Sequence, residues 1–220
     1  MEANLYKRRY SLFLFSFILM LLGDIFTKPE HDYDAQTVLI FQNMLFSLLL
    51  FRHKNKLQKL IVISLIILGI FSRIYFQFNH GFSGYMFLTI YIIYFLIISY
   101  QIYLDLMQEK ELGLEMISAA FSGYILLGTV FSILFITMGS SGAFKGPEGA
   151  VPNNDYLYFS FVTLLTIGYG DITPVTEIAK KIIVLLGLTG HFYTVFVIGI
   201  IIGKYINLRK LKFKDEQHTK

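Results

Sequence analysis

Apolar residues in this chain fall in runs long enough to cross a lipid bilayer, and this constrains its fold more than anything else. A hydrocarbon core about 30 Å thick needs roughly 20 predominantly apolar helical residues. The 220 residues are 55% hydrophobic and 15% charged, where a soluble domain is nearer a quarter charged. The predicted class is an all-α polytopic membrane protein. The net charge of +4 is modest, and no nucleic-acid site is read into it. There is no cysteine, which excludes disulfides and thiol chemistry. There is no tryptophan either, so the 15 tyrosines must supply any aromatic belt.

In chain order, Lys7, Arg8 and Arg9 precede a first helix expected over Tyr10 to Phe26. A basic start before a short apolar run also suits a signal peptide, but Gly23-Asp24-Ile25-Phe26 offers no small-residue cleavage site, so a retained helix is expected. An acidic loop, Thr27 to Asp34, leads to a second helix, Ala35 to Phe51, whose Gln36, Gln42 and Asn43 suit helix contacts better than lipid. The basic segment Arg52 to Lys59 precedes a third helix, Leu60 to Phe78, and a fourth spans Tyr85 to Leu104. Asp105 to Glu115 interleaves charges with leucines and reads as an interfacial amphipathic helix. The fifth helix is Met116 to Met138, and a Gly- and Pro-containing loop follows. Asp155 to Leu165 is helical in pattern but too short to span. The sixth helix is Thr176 to Asn207, with Asn154 or Asp155 expected to cap the short helix before it.

This predicts six crossings and one re-entrant half-helix. Residues 1–115 form an N-terminal region of four helices plus the interfacial segment, 116–207 a pore-like module, and 208–220 a short tail. Basic residues favour the cytoplasm, which places both termini and the Arg52 to Lys59 loop inside, in the plasma membrane. Lys204, Arg209, Lys210, Lys212 and Lys214 then lie at the inner surface, where anionic lipid headgroups can meet them.

Between the half-helix and the sixth helix runs Thr166-Ile167-Gly168-Tyr169-Gly170-Asp171, after Thr163-Leu164-Leu165. A dehydrated cation needs oxygens to replace its water shell, and rings of backbone carbonyls supply them where copies of a loop meet on an axis. Aiming successive carbonyls one way requires alternating backbone conformations. Glycine enters the left-handed ones without steric cost, which suits Gly168 and Gly170. Irregular backbone at membrane depth is tolerated where protein or a water-filled cavity surrounds it.

This stretch resembles the selectivity filter of the potassium channel superfamily, and 116–207 resembles that family's pore: outer helix, pore helix, filter, inner helix. The resemblance implies a homotetramer with K⁺ held at Thr166, Ile167, Gly168 and Tyr169. K⁺ is then the permeant ion, and no cofactor is implied. Thr163 would support the filter, and Tyr169 would pack outward against helices. Where relatives often carry two tryptophans around the filter tyrosine, this chain has Tyr158 and Phe159, and the Tyr158 hydroxyl becomes the partner expected for Asp171. Relatives commonly have threonine where Leu165 stands. Gly190 falls at the family's gating hinge, though it equally suits close packing, the reading preferred for Gly199 and Gly203. His191, Thr194, Ile198 and Ile202 recur at helical spacing and would line the cavity; for His191 the other reading is a packing residue between helices.

The fourth helix has no Lys or Arg, and a voltage sensor needs several, three apart. Steep voltage gating is therefore not expected. Rival readings are a K⁺ uptake subunit, a non-conducting regulatory subunit with a pore-like fold, and a membrane enzyme. The first normally carries several weakened filter motifs, the second sits poorly with an intact filter, and the third lacks any convergent acid, base and nucleophile.

Overall fold

The computed structural model describes residues 8–23, 32–51, 56–78, 83–108 and 113–218, and side chains at 8–23, 38–51, 56–72, 86, 89–107 and 113–206. The helices are α1 (Arg9–Leu22), α2 (Asp32–Ser47, continued by a 3-10 turn at Leu48–Leu50), α3 (Lys56–Phe78), α4 (Ser83–Gln108), α5 (Leu114–Gly139), α6 (Asp155–Leu164) and α7 (Glu177–His218). Two short strands, β1 (Phe144–Lys145) and β2 (Thr173–Pro174), pair antiparallel.

Among the described residues, three stretches are long and apolar enough to cross a membrane: Thr89–Met107, Leu114–Gly139 and Glu177–Ile206. Six crossings were expected. α1 has 14 residues, about 21 Å at 1.5 Å per residue, and Val38–Leu50 is likewise apolar but short. The sixth helix does not stop at Asn207 but continues through the segment expected as a separate tail, to His218. The Lys-, Arg- and Leu-rich residues there are good helix formers.

Among the described residues of Asp105 to Glu115 there is no separate interfacial helix. Asp105 to Gln108 complete α4, and Leu114 and Glu115 begin α5, with 109–112 outside the described residues. The two charges of this junction that lie in described residues, Asp105 and Glu115, have partners in the start of α1. Asp105 accepts from the Arg9 guanidinium at 2.9 Å, the Tyr10 hydroxyl at 2.7 Å and Gln101 at 2.9 Å. Glu115 accepts from the backbone N–H of Tyr10 at 2.9 Å and of Ser11 at 3.3 Å. A helix leaves its first N–H groups without intrahelical acceptors, so a carboxylate from α5 caps α1. Asp105 and Glu115 thus serve helix docking, where the sequence suggested a helix lying in the interface.

α5 organises the rest. Its residues Met116, Ala119, Leu126, Val130 and Ile133 belong to one apolar core with α1–α4. Leu127, Phe131 and Phe135 belong to a second with α6, β1 and the start of α7. Ser118, Ala119, Ala120, Ser122 and Gly123 are small, and small residues let helix backbones approach closely in a membrane. Asn43, expected to face other helices, is buried and donates to Ser16 at 2.8 Å. On α4 the buried face carries Ile90, Tyr91, Tyr94, Ile98 and Ile102 where a sensor would carry arginines. The side chains of Gln36, Arg73, Arg209, Lys210, Lys212 and Lys214 lie outside the described residues, as does the loop at 52–55.

Candidate functional site

α6 enters the site without the expected side-chain cap. Asn154 is at the N-cap position, but its backbone is already helical, at φ −66° and ψ −33°, and its side chain makes no cap bond. The first N–H groups bond instead to nearby carbonyls, Asp155 to Pro152 and Tyr156 to Asn153. Ser160 donates to the Gly128 carbonyl at 2.7 Å and ties α6 to α5.

The C-terminus of α6 is closed more completely than its sequence suggests. The N–H of Thr166 bonds to Thr163 O at 3.0 Å and that of Ile167 to Val162 O at 2.9 Å, with Thr166 at φ +60°. This is a Schellman cap, whose left-handed position glycine usually fills. Leu165 N bonds to Phe161 O at 2.8 Å, and the Tyr124 hydroxyl donates to Leu164 O at 2.9 Å. All four final carbonyls therefore have donors from the chain itself. A left-handed L-residue costs about 1–2 kcal/mol, which the two cap bonds at Thr166 offset.

From that cap the backbone alternates. Thr166, Gly168 and Gly170 lie at φ +60°, +60° and +79°, and Ile167 and Tyr169 are absent from the positive-φ set. Left-handed residues at every second position turn successive peptide planes to one side, the arrangement that a ladder of carbonyl oxygens requires. Glycine at 168 and 170 was legible in the motif; Thr166 in the same region was not.

Tyr158 donates to the Asp171 carboxylate at 2.8 Å. That bond pushes the tyrosine up to about 12, so the hydroxyl keeps its proton and stays a donor at neutral pH. Burial, and then the neighbouring Asp171 carboxylate, raise Asp155 above the ordinary aspartate range. Phe159 is buried, 5.3 Å from the Phe135 ring and 5.5 Å from Phe144. Tyr169 is 72% exposed: among the described residues of one chain it does not make the packing against helices expected of it.

On α7, Gly190 is buried, and a Cβ there would meet Leu164 Cδ1 at 2.4 Å. Its place is a packing contact with the end of α6. Gly199 and Gly203 meet nothing within 4 Å in the chain. The packing expected of them is not made among the described residues: α4 contacts the neighbouring Phe196 and Lys204, while both glycines are exposed. His191, Thr194, Ile198 and Ile202 are all exposed, so His191 does not pack between helices of its own chain. Lys204, the described member of the basic set, donates to the backbone carbonyl of Leu106 near the end of α4. Tyr124, Phe144 and the β1–β2 pair were not singled out from the sequence. Two-residue strands show no alternation, and Tyr124 is one tyrosine among 15.

An ion channel family model matches residues 121–207. Over 93 residues the chain is 32% identical to two pore potassium channel c of Oryza sativa subsp. japonica, covering 39% of this chain and 20% of that protein. Over 96 residues it is 26% identical to two-pore potassium channel 4 of Arabidopsis thaliana, covering 41% and 34% respectively. The chain thus spans only a minor part of either relative's length. No solved structure gives a significant match. The matched stretch is the half-helix, the alternating loop and the helices on either side of them. Over that stretch the chain is similar to ion channel pores, those of two potassium channels among them.

Proposed function

We propose that the protein is the subunit of a K⁺-selective channel, four copies of which bring the loop 166–171 to a common axis. The observation that carries this reading is the alternation of left-handed residues at Thr166, Gly168 and Gly170, directly after a half-helix. Carbonyls of Thr166, Ile167, Gly168 and Tyr169, with the Thr166 hydroxyl at the inner end, replace the water of a dehydrated K⁺. Tyr158, Phe159 and Thr163 support them. The exposed face of α7 supports assembly, because one loop cannot enclose an ion. His191, Thr194, Ile198 and Ile202 line the inner path, and α7 bends near Gly190 only so far as its contact with Leu164 allows. Residues 1–115 form the surrounding transmembrane region, 116–207 the pore and 208–220 the cytoplasmic end, in a plasma-membrane subunit of six crossings with both termini inside. The basic residues from Lys204 to Lys214 meet anionic headgroups there.

Purified protein in liposomes with an outward K⁺ gradient tests the reading. K⁺ leaves, Na⁺ does not substitute for it, and open probability varies shallowly with voltage. Absence of K⁺ flux from correctly assembled protein, or equal passage of Na⁺, overturns it.

A further inference from the structure

The loop 166–171 is exposed along its whole length in the chain, so its shape is set by what grips its two ends. The inner end is held by the Schellman cap and Tyr124. At the outer end, beyond the Tyr158–Asp171 bond, stands the β1–β2 pair. Phe144 lies opposite Pro174 and Lys145 opposite Thr173, and Val175 N bonds to Ala143 O at 2.9 Å. Proline has no N–H to donate, so hydrogen bonding alone makes this a weak sheet. Phe144 gives it a second hold. Its buried ring sits 5.3 Å from Phe135 of α5, 5.4 Å from Tyr156 and 5.5 Å from Phe159 of α6. Ile172, the first residue past Asp171, is buried in the same cluster.

We propose that Phe144, acting through the β1–β2 pair, is a positioning residue for the filter: it locks the segment that leaves the filter onto the outer and pore helices and so fixes the outer carbonyl rings. This rests on reading 166–171 as a K⁺ filter. Phe144 touches no permeant ion. It acts on the strand facing it, and Ile172 to Val175 transmit the constraint to Asp171 and Gly170.

The native chain contains no cysteine, which permits a reversible test. Directly opposed antiparallel residues have Cα atoms about 4.5–5.5 Å apart, within the range a disulfide spans. Lys145 and Thr173 are such a pair, and both are exposed. The K⁺/Na⁺ permeability ratio is measured in bilayers for wild type, Phe144→Ala, Phe144→Leu and Phe144→Tyr. It is measured again for Phe144→Ala carrying Lys145→Cys and Thr173→Cys, oxidised and reduced. The expected result is a ratio lowered by about tenfold or more in Phe144→Ala and kept in Phe144→Tyr, which retains the ring. Oxidation of the cysteine pair restores the ratio, and reduction removes it again. A purely structural role for Phe144 predicts fewer channels with an unchanged ratio, and the disulfide then changes nothing; that result overturns the proposal. Should Phe144→Ala yield no assembled protein, Phe144→Leu carries the same comparison. A wild type with no K⁺ preference removes the filter reading itself, whereas a selective wild type indifferent to residue 144 removes only the positioning role.

Discussion

α5 and α7 are both long, apolar helices, yet 72% of the most apolar stretch of α5 is buried within the chain and only 11% of that of α7. α5 achieves burial with small residues, among them Ser122, Gly123 and Gly128, which let α1, α4 and α6 close around it. α7 instead presents Phe192, Val195, Phe196, Ile198 and Ile202, all at least half exposed. Composition alone says that both are membrane helices. Burial separates a helix that completes its own subunit from one whose partners lie elsewhere: lipid, a cavity or another copy. The fold of one copy is thus anchored on α5, while α7 keeps an apolar face for partners outside it.

The sharpest way to break this contrast is to enlarge one glycine on each helix. A Cβ at Gly123 meets the Tyr193 hydroxyl at 2.2 Å, and that hydroxyl is held by the Ala120 carbonyl at 2.7 Å. Gly123→Val therefore overpacks by about 1–3 kcal/mol and also loses a hydrogen bond worth about 1 kcal/mol. Gly199→Val meets nothing in the chain. Folded yield and melting temperature in detergent should fall steeply for Gly123→Val and stay at wild-type level for Gly199→Val, with any change for the latter confined to oligomer elution. Equal losses in the two variants would remove the distinction between the helices. Next in size is the proposed filter. Gly168→Ala places an L-residue at φ +60°, a cost of about 1–2 kcal/mol in each copy of the proposed tetramer. Its K⁺/Na⁺ permeability ratio should collapse; an unchanged ratio excludes residue 168 from the conduction path.

What was legible in the sequence follows the same division. Apolar runs, the short half-helix and the glycines at alternate motif positions are strong signals, because bilayer thickness and left-handed backbone leave few residue choices. The Asp105 to Glu115 pattern misled, since interleaved charge and leucine fit an interfacial helix and a helix-docking junction equally. Only the distant Arg9, Tyr10 and Ser11 decide between them. The left-handed Thr166 was hidden because a β-branched residue is a poor choice there, and its position is set by bonds to Val162 and Thr163. Phe144 and Tyr124 act through tertiary contacts that no local periodicity announces.

A smaller effect is expected at the outer end. Tyr158→Phe keeps the ring and deletes the bond to Asp171, worth about 1 kcal/mol. Selectivity should weaken by less than tenfold, and Asp171→Asn, which keeps an acceptor, should do less still. A loss as large as that of Gly168→Ala would mean that Tyr158 carries more of the loop than one hydrogen bond.

The last prediction asks which of its possible partners the exposed face of α7 meets. Gly190 and Tyr193 are turned toward α6 and α5, and each helical residue turns the side-chain direction by about 100°. His191 therefore projects beside that packed face and is exposed in the single chain. If four copies of this residue surround the path below the proposed filter, His191→Arg rings that path with fixed positive charge. Such a ring raises the barrier for K⁺, so single-channel conductance should fall while the K⁺/Na⁺ ratio is untouched, since the loop 166–171 is unchanged. A histidine buried instead against a neighbouring copy predicts the reverse: His191→Arg lowers the oligomer's thermal stability, and the channels that remain conduct as in wild type. Single-channel currents of the two proteins separate the cases. Equal conductances would assign this face of α7 to contact between copies, leaving any water-filled path to another.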